Sequence, residues 1–583
     1  MDLYKRILRH TPEKKANAYI SLLFSSISAF LSVLPFLFLW RFLEALIEKE
    51  DLSAASDYAV LIILLMLGYS LFYFLSLWAS HILAFRLESN LRKEGTRHLM
   101  NASFSFFDQN QSGRIRKIID DNAAQTHMIV AHLIPDICIA VLTPIFLLSM
   151  IFAIDYRMGI LLIILFILGL LQMKMMMGGQ EFMKTYYDAL DRMNAETVEY
   201  VRGMQVVKIF RSTLSSFKVF YGMIMEYSKN ALDYSMSCRR PYVIFQIIYN
   251  IVVAFSIPFA VVLINGGESK ASILAKTVFF AAYAGILFVT FMKIMYVGMY
   301  YFLADQSIGK LETIYEEMEC KKLSHGKEEH FENYDIEFEH VSFKYDQEFI
   351  LKDFCLKLEE NKTYAFVGSS GGGKSTIAKL ISGFYAIEEG RILIGGKGID
   401  EYSEEALMKN IAFVFQNTKL FKTSIYENVK LGREDASEEE VMEALRLARC
   451  EDILDKLPQR EHTMIGAKGV HLSGGEIQRI AIARAILKNA KIIILDEASA
   501  AADPENEYEI QRAFSNLMKE KTVIMIAHRL SSIRKVDEII VIEEGKVLER
   551  GSDAELMAKG GKYRDFQEMF SKANDWRVYD QQN

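Results

Sequence analysis

Six long stretches without a charged residue limit what this 583-residue chain can fold into. From Ile20 to Trp40 there are 21 uncharged residues, and from Tyr58 to Phe85 another 28 whose only titratable side chains are tyrosines and His81. Further runs cover Ile137 to Ile154, Met158 to Met173, Pro241 to Gly267 and Thr277 to Met292. A bilayer core of about 30 Å takes roughly 20 such residues as a helix, so the sequence predicts six spans over 17–46, 57–85, 133–155, 158–178, 241–267 and 274–304. The amino-terminal segment is basic and amphipathic and the first apolar run is too long for a signal core, so a retained span is expected rather than a cleaved leader.

The connectors set an orientation. The link 48–57 is short and acidic, and only Asp155, Tyr156 and Arg157 join the third and fourth runs. Lys and Arg gather in the first fifteen residues, after the second run (Arg86 to Lys117) and after the fourth (Lys184 to Arg240), and the positive-inside rule places those segments in the cytoplasm. Their length and helical period predict that the spans continue into the cytosol as helices. Lys174 and Lys293 each follow sixteen uncharged residues and are expected to snorkel to the inner interface. His132 and Asp136, four residues apart, are expected to pair along one helix face.

After Glu319 the composition changes. Residues 321–334 are charged and read as a linker, and beyond it short β-rich runs alternate with helical ones. The predicted architecture is multidomain: an all-α six-helix transmembrane domain over 1–320, the linker, and an α/β phosphate-loop ATPase domain over 335–583. A net charge of -7 gives no polyanion-binding signature, so nucleic acid is not an implied partner. Five cysteines without paired spacing (Cys138, Cys238, Cys320, Cys355, Cys450) argue against a disulfide framework or a zinc cluster.

The chemistry is carried by Gly368-Ser369-Ser370-Gly371-Gly-Gly373-Lys374-Ser375-Thr376, set between a strand-like and a helix-like run. At this spacing backbone N–H groups cradle nucleotide phosphates, the lysine reaches the terminal ones and the serine hydroxyl holds Mg²⁺. The apolar run from Lys491 ends in Asp496 and Glu497, which suits a metal-orienting carboxylate beside a general base for water. Ser473-Gly474-Gly475 opens a helix, where free N–H groups and the helix dipole favour phosphate. Tyr345 is placed to stack on adenine, Gln416 to contact the metal or attacking water, and His528 to reach a γ-phosphate; each alone is weak.

Taken in order, Tyr345, Gly368 to Ser375, Gln416, Leu472 to Glu476, Asp496 with Glu497, Asp503 and His528 resemble the A-loop, Walker A, Q-loop, signature, Walker B, D-loop and H-loop of ATP-binding cassette proteins. Six spans ahead of one cassette look like a half-transporter of the exporter-type fold, and Phe106-Phe107-Asp108 with Gly113 and Asp121, then Gly203, Val207, Lys208 and Phe210, fall where that family places its coupling helices. The resemblance implies ATP and Mg²⁺ as cofactors, Asp503 as a further nucleotide contact, and a second half-transporter as partner. A heterodimer is the favoured form and a homodimer the other. It also implies a bacterial cytoplasmic membrane, with the amino terminus and the ATPase in the cytoplasm.

Three positions depart from the family pattern: Glu476 where Gln is commonest, Ala502 in the D-loop, and Ala467 where many exporters carry Glu. The wording of the cassette, such as Ile411 to Gln416 and Asp503-Pro-Glu-Asn-Glu507, is most similar to bacterial siderophore-uptake half-transporters. That resemblance implies import of a siderophore or metal chelate. Export of a lipid, peptide or hydrophobic drug is the alternative, and a non-transporting regulator or channel is a third reading.

Overall fold

The computed structural model describes the chain apart from residues 1, 111, 178–179, 210–217, 321, 346, 416–417, 467–468, 497–503, 527–532, 534–535 and 575–583. It divides into two compact units, Met1–Met100 with Ser112–Tyr315, and Asn101–Gln111 with Glu316–Asn583.

The first unit is helical, as it must be if its backbone N–H and C=O groups are to be satisfied inside lipid. Among the described residues six helices are long and apolar enough to cross a membrane: Pro12–Glu48, Leu52–Asn101, Gly113–Ile154, Tyr156–Met175, Phe220–Asn265 and Lys270–Glu319. The second and sixth run for 50 residues each, about 75 Å at roughly 1.5 Å per residue, so they extend well past a hydrocarbon core.

With lipid as apolar as leucine, small and polar groups join the helices. Ser76 Oγ donates to the Ser21 carbonyl at 2.8 Å, and Tyr283 OH donates to the Leu147 carbonyl at 2.5 Å. Gly169 lets Phe291 approach, since a Cβ there would stand 2.4 Å from the ring.

Two ion pairs join the third helix and its end to the sixth. Lys293 Nζ lies 3.2 Å from Asp136 Oδ1, and Lys276 Nζ lies 2.9 Å from Asp155 Oδ2. Nineteen residues separate the two aspartates, roughly 28 Å of helix and close to a hydrocarbon thickness of about 30 Å. The expected side-chain pairing of His132 with Asp136 is not what forms. Asp136 accepts from Tyr73 OH at 3.2 Å and faces Lys293, which lies over the Tyr73 ring, while His132 packs edge-on against His81 at 5.5 Å. Lys293 is held by a carboxylate on a neighbouring helix instead of reaching for headgroups.

The second unit is built on ten strands among the described residues: β1 (Ile336–Lys344), β2 (Phe349–Leu358), β3 (Thr363–Val367), β4 (Glu389–Ile394), β5 (Lys397–Gly398), β6 (Ile411–Val414), β7 (Ile492–Asp496), β8 (Thr522–Ile526), β9 (Glu538–Glu543) and β10 (Lys546–Gly551). They form a four-stranded sheet, β2-β1-β4-β5, and a six-stranded sheet, β10-β9-β3-β8-β7-β6. Strands β9, β3, β8, β7 and β6 are parallel, and β10 closes the edge antiparallel to β9. Successive side chains of a strand point to opposite faces. Ile492, Ile494, Ile524 and Ile526 pack with Ile377, Leu380 and Ile381, whereas Ile493, Leu495 and Val523 pack with Ile480, Ile482 and Ala483. The helix after the phosphate loop and the helix opened by Ser473 therefore cover opposite faces of one sheet.

In the membrane unit, Asp136→Asn leaves Lys293 without its counter-charge. Thermal unfolding in detergent is expected to show a loss of about 2 kcal/mol, below the roughly 3–5 of a fully buried pair because both groups are partly exposed. Exchanging the two residues (Asp136→Lys with Lys293→Asp) is expected to recover most of it. Equal destabilisation in the single variant and the exchange would contradict the pairing.

Candidate functional site

Strand β3 ends at Val367, and the chain turns where only glycine fits. Gly368 has φ +145°, and a Cβ there would stand 2.0 Å from the Ile542 carbonyl oxygen of β9. Gly373, at φ +101°, then starts the helix Lys374–Ile381. Between them the Gly372 N–H donates to the Ser369 carbonyl at 3.2 Å, closing the turn that holds Ser370 and Gly371. Lys374 is buried, and a buried ammonium needs acceptors. Its Nζ donates to the Gly368 and Ser369 carbonyls at 2.9 and 2.6 Å, which holds the charge over the loop.

Around this loop the fold gathers other residues of the predicted site. Ser375 Oγ donates to Asp496 Oδ1 at 3.3 Å, across the β3-β8-β7 order that sets the two strand ends near each other. Adjacent oxygens around an octahedral Mg²⁺ stand about 2.9 Å apart for ligand distances near 2.0–2.1 Å, so this hydroxyl and carboxylate fit a shared cation. Tyr345 OH and Thr376 Oγ1 are 3.2 Å apart, and the Tyr345 ring stands edge-on to Phe343 and Tyr385 at 5.0 and 5.3 Å. Phosphate loop, the Ser375–Asp496 pair and an aromatic side wall thus meet at one end of the sheet.

Ser473 is the N-cap of the helix Gly474–Lys488. Its Oγ accepts from Glu476 N at 3.3 Å while Glu476 Oε2 accepts from Ser473 N at 2.7 Å, a complete capping box. The departure at Glu476 thus has a local account, because either Glu or Gln supplies the acceptor that the box requires. Farther along, Arg479 is buried and donates to Asp452 and to the Arg449 carbonyl, both at 2.6 Å, which fixes the helix from behind.

Four residues of the predicted site, Gln416, Glu497, Asp503 and His528, lie outside the described residues, as do Ala467, Ala502 and Phe210.

The sequence reading missed the receiving side of the segment 101–111, which belongs to the cassette unit. In the helix Phe104–Gln109, Asp108 accepts from Lys379 Nζ at 2.6 Å and from Tyr385 OH. Burial, then the neighbouring carboxylate, raises the Tyr385 hydroxyl's pKa, so the phenol stays a donor. Phe104 stacks on Phe384, with ring centroids 3.6 Å apart and planes 15° from parallel. Lys379 sits on the phosphate-loop helix and Tyr385 packs on Tyr345, so this short helix reaches that helix and the Tyr345 ring through two side chains. No motif marks them; the only local signal is the Phe384-Tyr385 pair soon after the loop.

A phosphate-loop ATPase joined to six membrane-capable helices defines a membrane transport ATPase. Residues 351–500 match the family model described as ABC transporter, and residues 18–303 match the ABC transporter transmembrane region. The chain belongs to the ATP-binding cassette transporter family, as a half-transporter with the exporter-type fold. It is 31% identical over 84% of its length to the mycobactin import ATP-binding/permease protein IrtA of Mycobacterium tuberculosis, and spans 57% of that protein. It is 32% identical over 84% of its length to a Staphylococcus aureus ATP-binding/permease protein provisionally assigned to multidrug export, covering 84% of it. The fold is similar to that of a bacterial Atm1-family ABC exporter with ATP bound, at TM-score 0.77 and 24% identity, over 96% of this chain and 98% of that one.

The capping box makes a direct prediction. Glu476→Gln keeps both hydrogen bonds and is expected to leave thermal unfolding of the full chain unchanged, whereas Glu476→Ala removes one and should lower it, at a cost of about 1 kcal/mol. Equal destabilisation by Gln and Ala would show that the carboxylate charge matters here rather than the box.

Proposed function

We propose that this chain is one half of an ATP-driven importer of a siderophore or metal chelate, working as a heterodimer with a second half-transporter in a bacterial cytoplasmic membrane. The observation that carries the reading is the 31% identity, over 84% of this chain, to a mycobactin importer. The cassette wording points the same way. Export of a lipid, peptide or hydrophobic drug is the second reading, favoured by the 32% identity to a staphylococcal protein provisionally assigned to multidrug export. The Lys and Arg excess in the long connectors supports a cytoplasmic amino terminus and cassette.

Each residue of the site has a task in this reading. The N–H groups of Ser369 to Ser375 and the Lys374 ammonium take the phosphates, and Tyr345 stacks on the adenine. Ser375, Asp496 and Gln416 would hold Mg²⁺, which draws charge from the phosphate oxygens when bound. Glu497 takes the proton of the attacking water, with His528 beside the γ-phosphate. Ser473, Gly474 and Gly475 sit on the helix that covers the other sheet face. The family resemblance implies that they serve the phosphate loop of the partner, and the partner's serve Gly368–Ser375, with Asp503 lining the shared edge.

Transport separates the readings. In right-side-out and inside-out vesicles, ferric chelates should be taken up in the inward direction with ATP supplied on the cassette side. Glu497→Gln should abolish flux while retaining bound ATP. Movement of hydrophobic dyes alone, in the outward direction, would overturn import, and wild-type flux in Glu497→Gln would overturn the role of that carboxylate.

A further inference from the structure

The membrane unit contains a cavity of about 500 Å³ between the fourth, fifth and sixth membrane helices, a size usual for small-molecule sites. Its body is apolar, walled by Ile160, Ile164, Phe255, Phe259, Leu263 and Phe280. Phe255 and Phe259 are 67% and 53% exposed and stand on its open flank. One end is different, because Asp155, Arg157 and Lys276 line it as well.

These charges stand in alternating order. Lys276 Nζ is 2.9 Å from the Asp155 carboxylate, Arg157 Nε is 3.4 Å from it, and Arg157 Nη1 is 2.9 Å from Glu268. The Asp155 side chain is only 7% exposed, so it serves as the fixed centre, while Lys276, Arg157 and Glu268 keep 20%, 33% and 39% of their surface open. The hydrogen bond described for Lys276 uses one of its three N–H donors. Four charges that sum to zero attract no simple ion. They do match a headgroup carrying both signs, with its phosphate against Lys276 and Arg157 and its amine against Glu268. A headgroup with an anion alone would leave Glu268 opposing it, and an uncharged apolar molecule would make no use of the charged end.

We propose that this cavity is a binding site for one zwitterionic phospholipid, whose headgroup sits in the Lys276-Asp155-Arg157-Glu268 cluster and whose acyl chain enters past Phe255 and Phe259. The lipid comes from the leaflet at the Asp155 end of the spans. Only the naming of that leaflet as the outer one rests on the orientation proposed above; occupancy does not.

Native mass spectrometry of the full-length transporter, delipidated in detergent and titrated with phosphatidylethanolamine or phosphatidylglycerol of the same acyl chains, tests this. One phosphatidylethanolamine per chain is expected, bound about tenfold more tightly than phosphatidylglycerol. Glu268→Gln, which removes the carboxylate set against the amine, should reduce that preference, whereas Lys276→Gln should weaken both lipids. Ala260→Trp fills the apolar body without touching the charges, and should abolish retention of the lipid while leaving thermal unfolding in place. Equal affinity for the two lipids would overturn the proposal, as would wild-type retention in Ala260→Trp. If Ala260→Trp does not fold, the headgroup preference in Glu268→Gln decides alone: an unchanged preference overturns the proposal.

Discussion

Everything in the cassette depends on the alternation of side chains along β7. Ile492 and Ile494 serve the core beneath the phosphate-loop helix, while Ile493 and Leu495 serve the core beneath the helix capped by Ser473. A strand cannot bury both sets on one side. The phosphate loop and the Ser-Gly-Gly turn are thereby built on opposite faces of the same sheet. Each is well made: one with glycines where a Cβ would strike β9, the other with a closed capping box. In the dimer proposed above, each turn would meet its counterpart on the other chain.

The membrane unit solves a different problem, since apolar packing alone does not hold helices together in lipid. Here two ion pairs join the third helix and its end to the sixth near the two edges of a hydrocarbon core, with Tyr283 donating to Leu147 between them. The charges that the bilayer penalises are placed where they tie helices together. The cassette makes a corresponding choice at the short helix Phe104–Gln109, where one carboxylate and one aromatic ring meet Lys379, Tyr385 and Phe384.

Much of this was legible in the sequence because it is local. An uncharged run of about 20 residues must be a span, and the Gly-rich loop with its Lys-Ser pair requires a strand before it and a helix after it. Ser375 and Asp496, 121 residues apart, could be brought together on paper only through the family pattern, and the structure places them 3.3 Å from each other. The pairing of Lys293 with Asp136 was not legible, because it depends on the register of two helices 157 residues apart. A lysine at the end of an apolar run reads as snorkelling until its neighbour is known. Glu476 shows the opposite case: Ser-x-x-Glu is a local capping signal, hidden where the position reads as a departure from a motif.

In the proposed dimer, the phosphate loop of one chain is completed by another chain's Ser-Gly-Gly turn. That completion is tested most directly by ATP turnover measured across fractions separated by size in detergent, with the mass of each species determined in parallel. The account predicts turnover in dimeric fractions only, falling in proportion as dimer is diluted into monomer. A monomeric fraction that hydrolyses ATP at the dimer's rate per chain would contradict it.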